Sequence, residues 1–119
     1  MKAKKIFTAF LLMFSANTII AESIELTVKT EDDTNRPRTG VSITASLDNG
    51  IISTIVDTYV GNVEVTIEDE DGETVISDVE IVSGYTLFTT NVSSLPDGTY
   101  TIIYTLDDNT VYYGVFVID

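Results

Sequence analysis

From Ser23 onward, apolar and polar residues alternate with a period of two rather than 3.6, and Val, Ile, Thr and Tyr dominate. Turn residues recur about every ten positions, the spacing of a β-sandwich or barrel. No segment after Ala21 has the periodicity of a useful helix. "SIELTVK", residues 23–29, alternates Ile24, Leu26 and Val28 with Glu25, Thr27 and Lys29, and predicts a first strand. The polar stretch that follows, residues 30–40, contains Pro37 and reads as a connection.

Two hairpins come next. Asn49-Gly50 suits a two-residue type I′ turn, because both central residues need positive φ. It pairs Asp48 with Ile51 and Leu47 with Ile52. Val41, Ile43, Ala45 and Leu47 then share a core face with Ile52, Thr54 and Val56, while Ile51 and Ile55 face out. In "TIEDEDGETV", residues 66–75, Glu70-Asp71 make a type I turn and Gly72 takes a left-handed bulge position. This pairs Asp69 with Glu73 and Ile67 with Val75. It predicts Val63, Val65, Ile67, Val75, Val79 and Ile81 inside. Glu64, Thr66, Glu68, Asp78 and Glu80 fall outside, with Glu64 opposite Asp78.

Residues 85–119 supply three further strands. Phe88 and Val92 lead into Leu95-Pro96. Tyr100, Ile102, Tyr104 and Leu106 share a face, and Asp107 to Asn109 turn the chain. The last strand has two registers. A two- or four-residue loop pairs Leu106 with Val111 and turns Tyr113, Val115 and Val117 inward. A three-residue loop pairs Leu106 with Thr110 and turns Tyr112, Gly114, Phe116 and Ile118 inward. The second register buries more apolar surface and is the expected one. It leaves Ile103, Tyr113, Val115 and Val117 as an exposed apolar strip, a candidate interaction surface for a partner or a weak homodimer.

Composition adds a compartment. Lys2, Lys4 and Lys5 precede a short apolar run over residues 6–14, and a small-residue stretch ends at Ala21. This is the layout of a signal peptide, 1–21, too short for a permanent span, followed by a single domain, 22–119. Loss of the leader removes three of the six basic residues and no acid, which takes the formal charge from −13 to −16. Such a surface repels phosphate backbones and anionic lipid, so neither nucleic acid nor a membrane is an expected partner. The absence of cysteine leaves the core to hold the fold and gives no site for lipid attachment. The expectation is a chain exported to the periplasm or the exterior, not lipidated and with no span in its mature part.

The chemistry is sparse. An EF-hand alignment with Gly72 at its sixth place puts Asp69 and Asp71 correctly but Ile67 at the first ligand position, which excludes that motif. A looser cation site at Asp69 and Asp71 competes with a plain acidic hairpin tip. With no histidine or cysteine there is no Ser-His, Cys-His or zinc arrangement. Paired carboxylates remain, but among nineteen acids some pair is inevitable. No catalytic residue, metal ligand or cofactor is therefore assigned, and the chain is expected not to be an enzyme. Tyr100, Tyr104 and Tyr112 read as core residues whose hydroxyls reach the rim.

Three pieces carry a resemblance: Val65-x-Ile67-x-Asp69-x-x-Gly72, Leu95-Pro96-x-Gly98-x-Tyr100-x-Ile102, and Tyr113-Gly114-x-Phe116-x-Ile118. In these the chain resembles a family of small secreted Ig-like β-sandwich proteins of Bacteroidetes, catalogued as a domain of unknown function. The resemblance implies an all-β, Ig-like antiparallel sandwich of seven or eight strands and an extracytoplasmic address. It implies no activity. "LPDGTY" also resembles the tyrosine-corner region of Ig folds. The leading expectation is a non-catalytic secreted module that binds a protein or glycan. The alternative is an accessory subunit that docks by β-strand addition in an adhesin- or fimbria-like assembly. A carboxylate hydrolase is the outlier.

Overall fold

The computed structural model describes residues 21–29 and 40–119. The leader thus lies outside the described residues except for Ala21, and so does the 30–40 connection except for Gly40. Seven strands follow in order: β1 (Glu22–Ile24), β2 (Thr27–Lys29), β3 (Ser42–Asp48), β4 (Ile51–Glu68), β5 (Thr74–Asn91), β6 (Gly98–Leu106) and β7 (Val111–Ile118). All pairings are antiparallel.

The two long strands organise the sandwich. The first half of β4 pairs with β3 and with the second half of β5; its second half pairs with β6 and with the first half of β5. One layer is therefore β1-β3-β4-β5, and the other is β5-β4-β6-β7-β2. The ladder shifts between Val56 and Tyr59, where Asp57 and Thr58 form a bulge and Thr58 has φ 62°. A bulge bends and twists its strand. It also changes which alternate residues of β4 face in: Ile52, Thr54 and Val56 before it, Tyr59, Val63, Val65 and Ile67 after it, all buried.

The Asn49-Gly50 hairpin has the expected register, with Asp48 opposite Ile51 and positive φ at both turn residues (55° and 80°). The final hairpin has the three-residue loop: Leu106 N–H donates to the Thr110 carbonyl (2.9 Å), and Asn109 occupies the left-handed region at φ 70°. Tyr112 and Phe116 are buried accordingly. Between the layers the Tyr104 hydroxyl lies 2.7 Å from Thr54 Oγ1, and its ring meets Phe88 edge-on at 6.5 Å. Tyr104 thus does not reach the rim as expected; its hydroxyl is held in the middle of the core by a partner from the opposite layer. Tyr100 stacks on Phe116 at 5.7 Å and donates to the Pro96 carbonyl at 2.6 Å, a tyrosine corner that closes the loop entering β6.

Two further expectations need correction. The first strand is divided. β1 pairs with β3 in one layer, and β2 pairs with β7 in the other. Glu25 and Leu26 cross between the layers, with Ile24 buried, Leu26 packed on the core and Val28 exposed at the edge. The second concerns β5. Glu68 opposes Thr74 as the turn requires, but Ile67 opposes Ile76, so Val75 is an extra residue on that side of the hairpin. Beyond it every side chain of β5 faces the other way. Ile76, Asp78, Glu80 and Val82 share the core side, while Val75, Val79 and Ile81 are exposed. The reason lies at the far end. β5 runs without a break through the buried Phe88 to Asn91, and a period-two strand that turns Val82 and Phe88 inward must turn Ile81 and Val79 outward. For the same reason the residues after the second hairpin add two new strands rather than three, because residues 85–91 continue β5.

Candidate functional site

The acidic hairpin tip is occupied by its own backbone. Asp69 Oδ1 accepts from the N–H groups of Asp71 (2.9 Å) and Glu73 (3.0 Å), and Gly72 N–H donates to the Asp69 carbonyl (3.0 Å). These are turn contacts of the Asx kind. Among the described residues there is no group of three or more His, Cys, Asp or Glu placed to hold a metal ion. Nor, among them, is any helix long and apolar enough to cross a membrane.

What the surface does offer is apolar. Ile103 and Tyr113 are directly paired across β6 and β7, and Val115 and Val117 continue the same outward row of β7 opposite Thr101 and Thr99. Tyr113, Val115 and Val117 are 36%, 56% and 46% exposed, and Ile103 is half-buried between its neighbours. The structure thus brings together the four residues singled out from the sequence. The inner side of the same strand carries Tyr112 and Phe116, and that is what holds the outer row in place.

A second apolar row lies two strands away. Val75, Val79 and Ile81 stand on the outer side of β5, and Ile81 reaches 78% exposure. Glu64, Thr66 and Glu68 of β4 separate the two rows: Glu64 lies between Val79 and Thr105, and Thr66 between Ser77 and Ile103. Sequence reasoning placed Val75, Val79 and Ile81 in the core. The available signal was Val82 and Phe88, whose even spacing within one unbroken strand conflicts with burial of Val79 and Ile81.

The same change of face puts Asp78 and Glu80 side by side on the inner side of β5, at its open edge, rather than Asp78 against Glu64. Partial burial, then the Asp78 charge and a hydrogen bond that the protonated Glu80 carboxyl donates to the Asp78 side chain, hold the Glu80 carboxyl above its ordinary range. The folded chain therefore holds the Glu80 proton more tightly than the unfolded chain does. Stability should rise as pH falls from neutral through the folded pKa, and level off below the ordinary value of 4.5. The wild type should thus melt higher at pH 5 than at pH 7, and Glu80→Gln should flatten that rise. A steady loss of stability over this interval, or an unchanged rise in the variant, would contradict the account.

The comparisons agree with this architecture. No curated protein matches the chain. A solved structure described as a DUF3244 family protein with an immunoglobulin-like β-sandwich fold, from Bacteroides vulgatus, superposes with a TM-score of 0.69 at 17% identity, over 84% of this chain and 100% of that one. At that identity the likeness concerns the fold alone. The family model described as "Domain of unknown function (DUF3244)" matches residues 23–118, nearly all of the domain described above, and the chain belongs to that family.

Proposed function

We propose that the chain is a non-catalytic, exported interaction module that docks a protein partner on the outer face of β6 and β7. The observation that carries this reading is the row Ile103, Tyr113, Val115 and Val117, which leaves large apolar side chains in water, side by side on two paired strands, in a chain of formal charge −13. The basic and apolar leader pattern supports export to the periplasm or beyond. The lack of histidine and cysteine supports a role in binding rather than catalysis.

Val115→Glu and Val117→Lys remove no buried contact, so each should change stability by no more than about 0.5 kcal/mol. A photo-crosslinker in place of Val115, in cells that export the protein, should give a discrete adduct. That adduct should disappear in the Val117→Lys background. Light scattering of the purified chain tests whether the partner is a second copy. No adduct at Val115, or one that survives Val117→Lys, would remove the β6–β7 face from consideration.

A further inference from the structure

The β5 edge differs from the other sheet edges. Among the described residues β5 pairs only with β4, and it does so along 18 residues that border both layers. The other edge strands, β1 and β2, are three residues each. A long edge without a strand partner is a template for another strand, and proteins commonly guard one with inward-facing charge. Here the Val79 N–H donates to Asp78 Oδ1 (2.8 Å), a bond that an added strand must displace. Asp78 and Glu80 are placed as such a guard, two residues apart on the core-facing side, with Val79 and Ile81 exposed on the other side.

The guard is selective because its charges have one sign. An apolar strand added here would enclose two carboxylates with no partner. A second copy of this chain would bring acid to acid, since Lys29 is the only basic residue among those described. A strand with a cation beside each carboxylate would instead relieve their mutual repulsion. Its alternate residues would then lie beside Val79 and Ile81, where apolar side chains fit. We propose that β5 is a docking edge for an extended peptide segment in which lysine or arginine alternates with apolar residues, added as a further strand beside residues 76–82. This surface is separate from the β6–β7 face, and the proposal stands independently of the function assigned to that face.

The probe is a short, capped, dye-labelled peptide in which lysine and valine alternate. Two controls accompany it: a glutamate–valine counterpart, and a peptide of the same composition with its lysines and valines in separate blocks. The alternating lysine peptide should bind by fluorescence anisotropy, and its amide shift changes should centre on β5. The glutamate peptide should not bind, and the blocked peptide should bind at least about tenfold more weakly. Asp78→Asn with Glu80→Gln should leave the melting temperature equal or higher and weaken peptide binding about tenfold. The same loss of charge at the hairpin tip, Glu70→Gln with Asp71→Asn, should leave binding unchanged. Equal binding of the two lysine peptides, equal loss from the two double variants, a footprint away from β5, or no binding would each overturn the proposal. So would a wild-type dimer formed through β5 that excludes the peptide.

Discussion

Gly114→Ala is expected to destabilise the domain by roughly 2–3 kcal/mol, although alanine is no poorer a strand former than glycine. Gly114 faces inward on β7, opposite Ile102. A Cβ there would stand 2.5 Å from the Glu25 carbonyl oxygen and 2.9 Å from both Ile24 Cγ2 and Leu26 Cδ2. The first of these is backbone and cannot rotate away. Glu25 and Leu26 form the crossing between β1 and β2, so the methyl group would lift that crossing off the core. Removing glycine from a strand normally restricts the unfolded chain and stabilises the fold. The sign therefore separates the two effects. Chemical denaturation measures it, and a variant as stable as the wild type would mean that the crossing is not seated against Gly114.

Tyr104 is expected to weaken the fold in alkali. Burial pushes its pKa from 10.0 up to about 12, against the smaller opposing effect of the hydrogen bond with Thr54. The phenol is neutral when protonated, so the folded chain retains this proton at pH values where the unfolded chain releases it. Its contribution to stability is intact below pH 10 and falls as pH rises toward the folded value of about 12. The loss over that interval is about 3 kcal/mol. Tyr104→Phe should abolish this part of the decline. At neutral pH the same variant leaves Thr54 Oγ1 buried without its phenol partner and should cost about 1–2 kcal/mol. Adding Thr54→Val should recover part of that, because the pair is then apolar on both sides. An alkaline decline of equal slope in Tyr104→Phe would place its origin elsewhere.

Legibility in the sequence followed the range of the controlling interaction. Turns set by backbone sign were readable from a few residues, as at Asn49-Gly50 and Gly72. The Ile103, Tyr113, Val115 and Val117 row followed once the last register was chosen by burial of Phe116. Bulges were not readable, because a bulge is decided by packing at both ends of a strand. Asp57-Thr58 has no local mark that distinguishes it from ordinary strand, and neither does Val75. The slip at Val75 hid the apolar side of β5 and with it the edge guarded by Asp78 and Glu80. The division between β1 and β2 was hidden for another reason. Ile24, Leu26 and Val28 keep their alternation across the crossing, so the pattern carries no trace of the change of layer.

The sharing of β4 and β5 by both layers bears on how the chain assembles. Their hairpin closes at a short turn and lengthens by pairing residues only two positions farther apart in sequence each time, so it can zip outward without any large loop closure. Pairing of β2 with β7, Thr27 against Tyr113, joins nearly opposite ends of the domain and must wait for that frame. The frame is also indivisible. Melting of either layer would strip partners from the same two strands that support the other, so the sandwich has no half that can persist by itself.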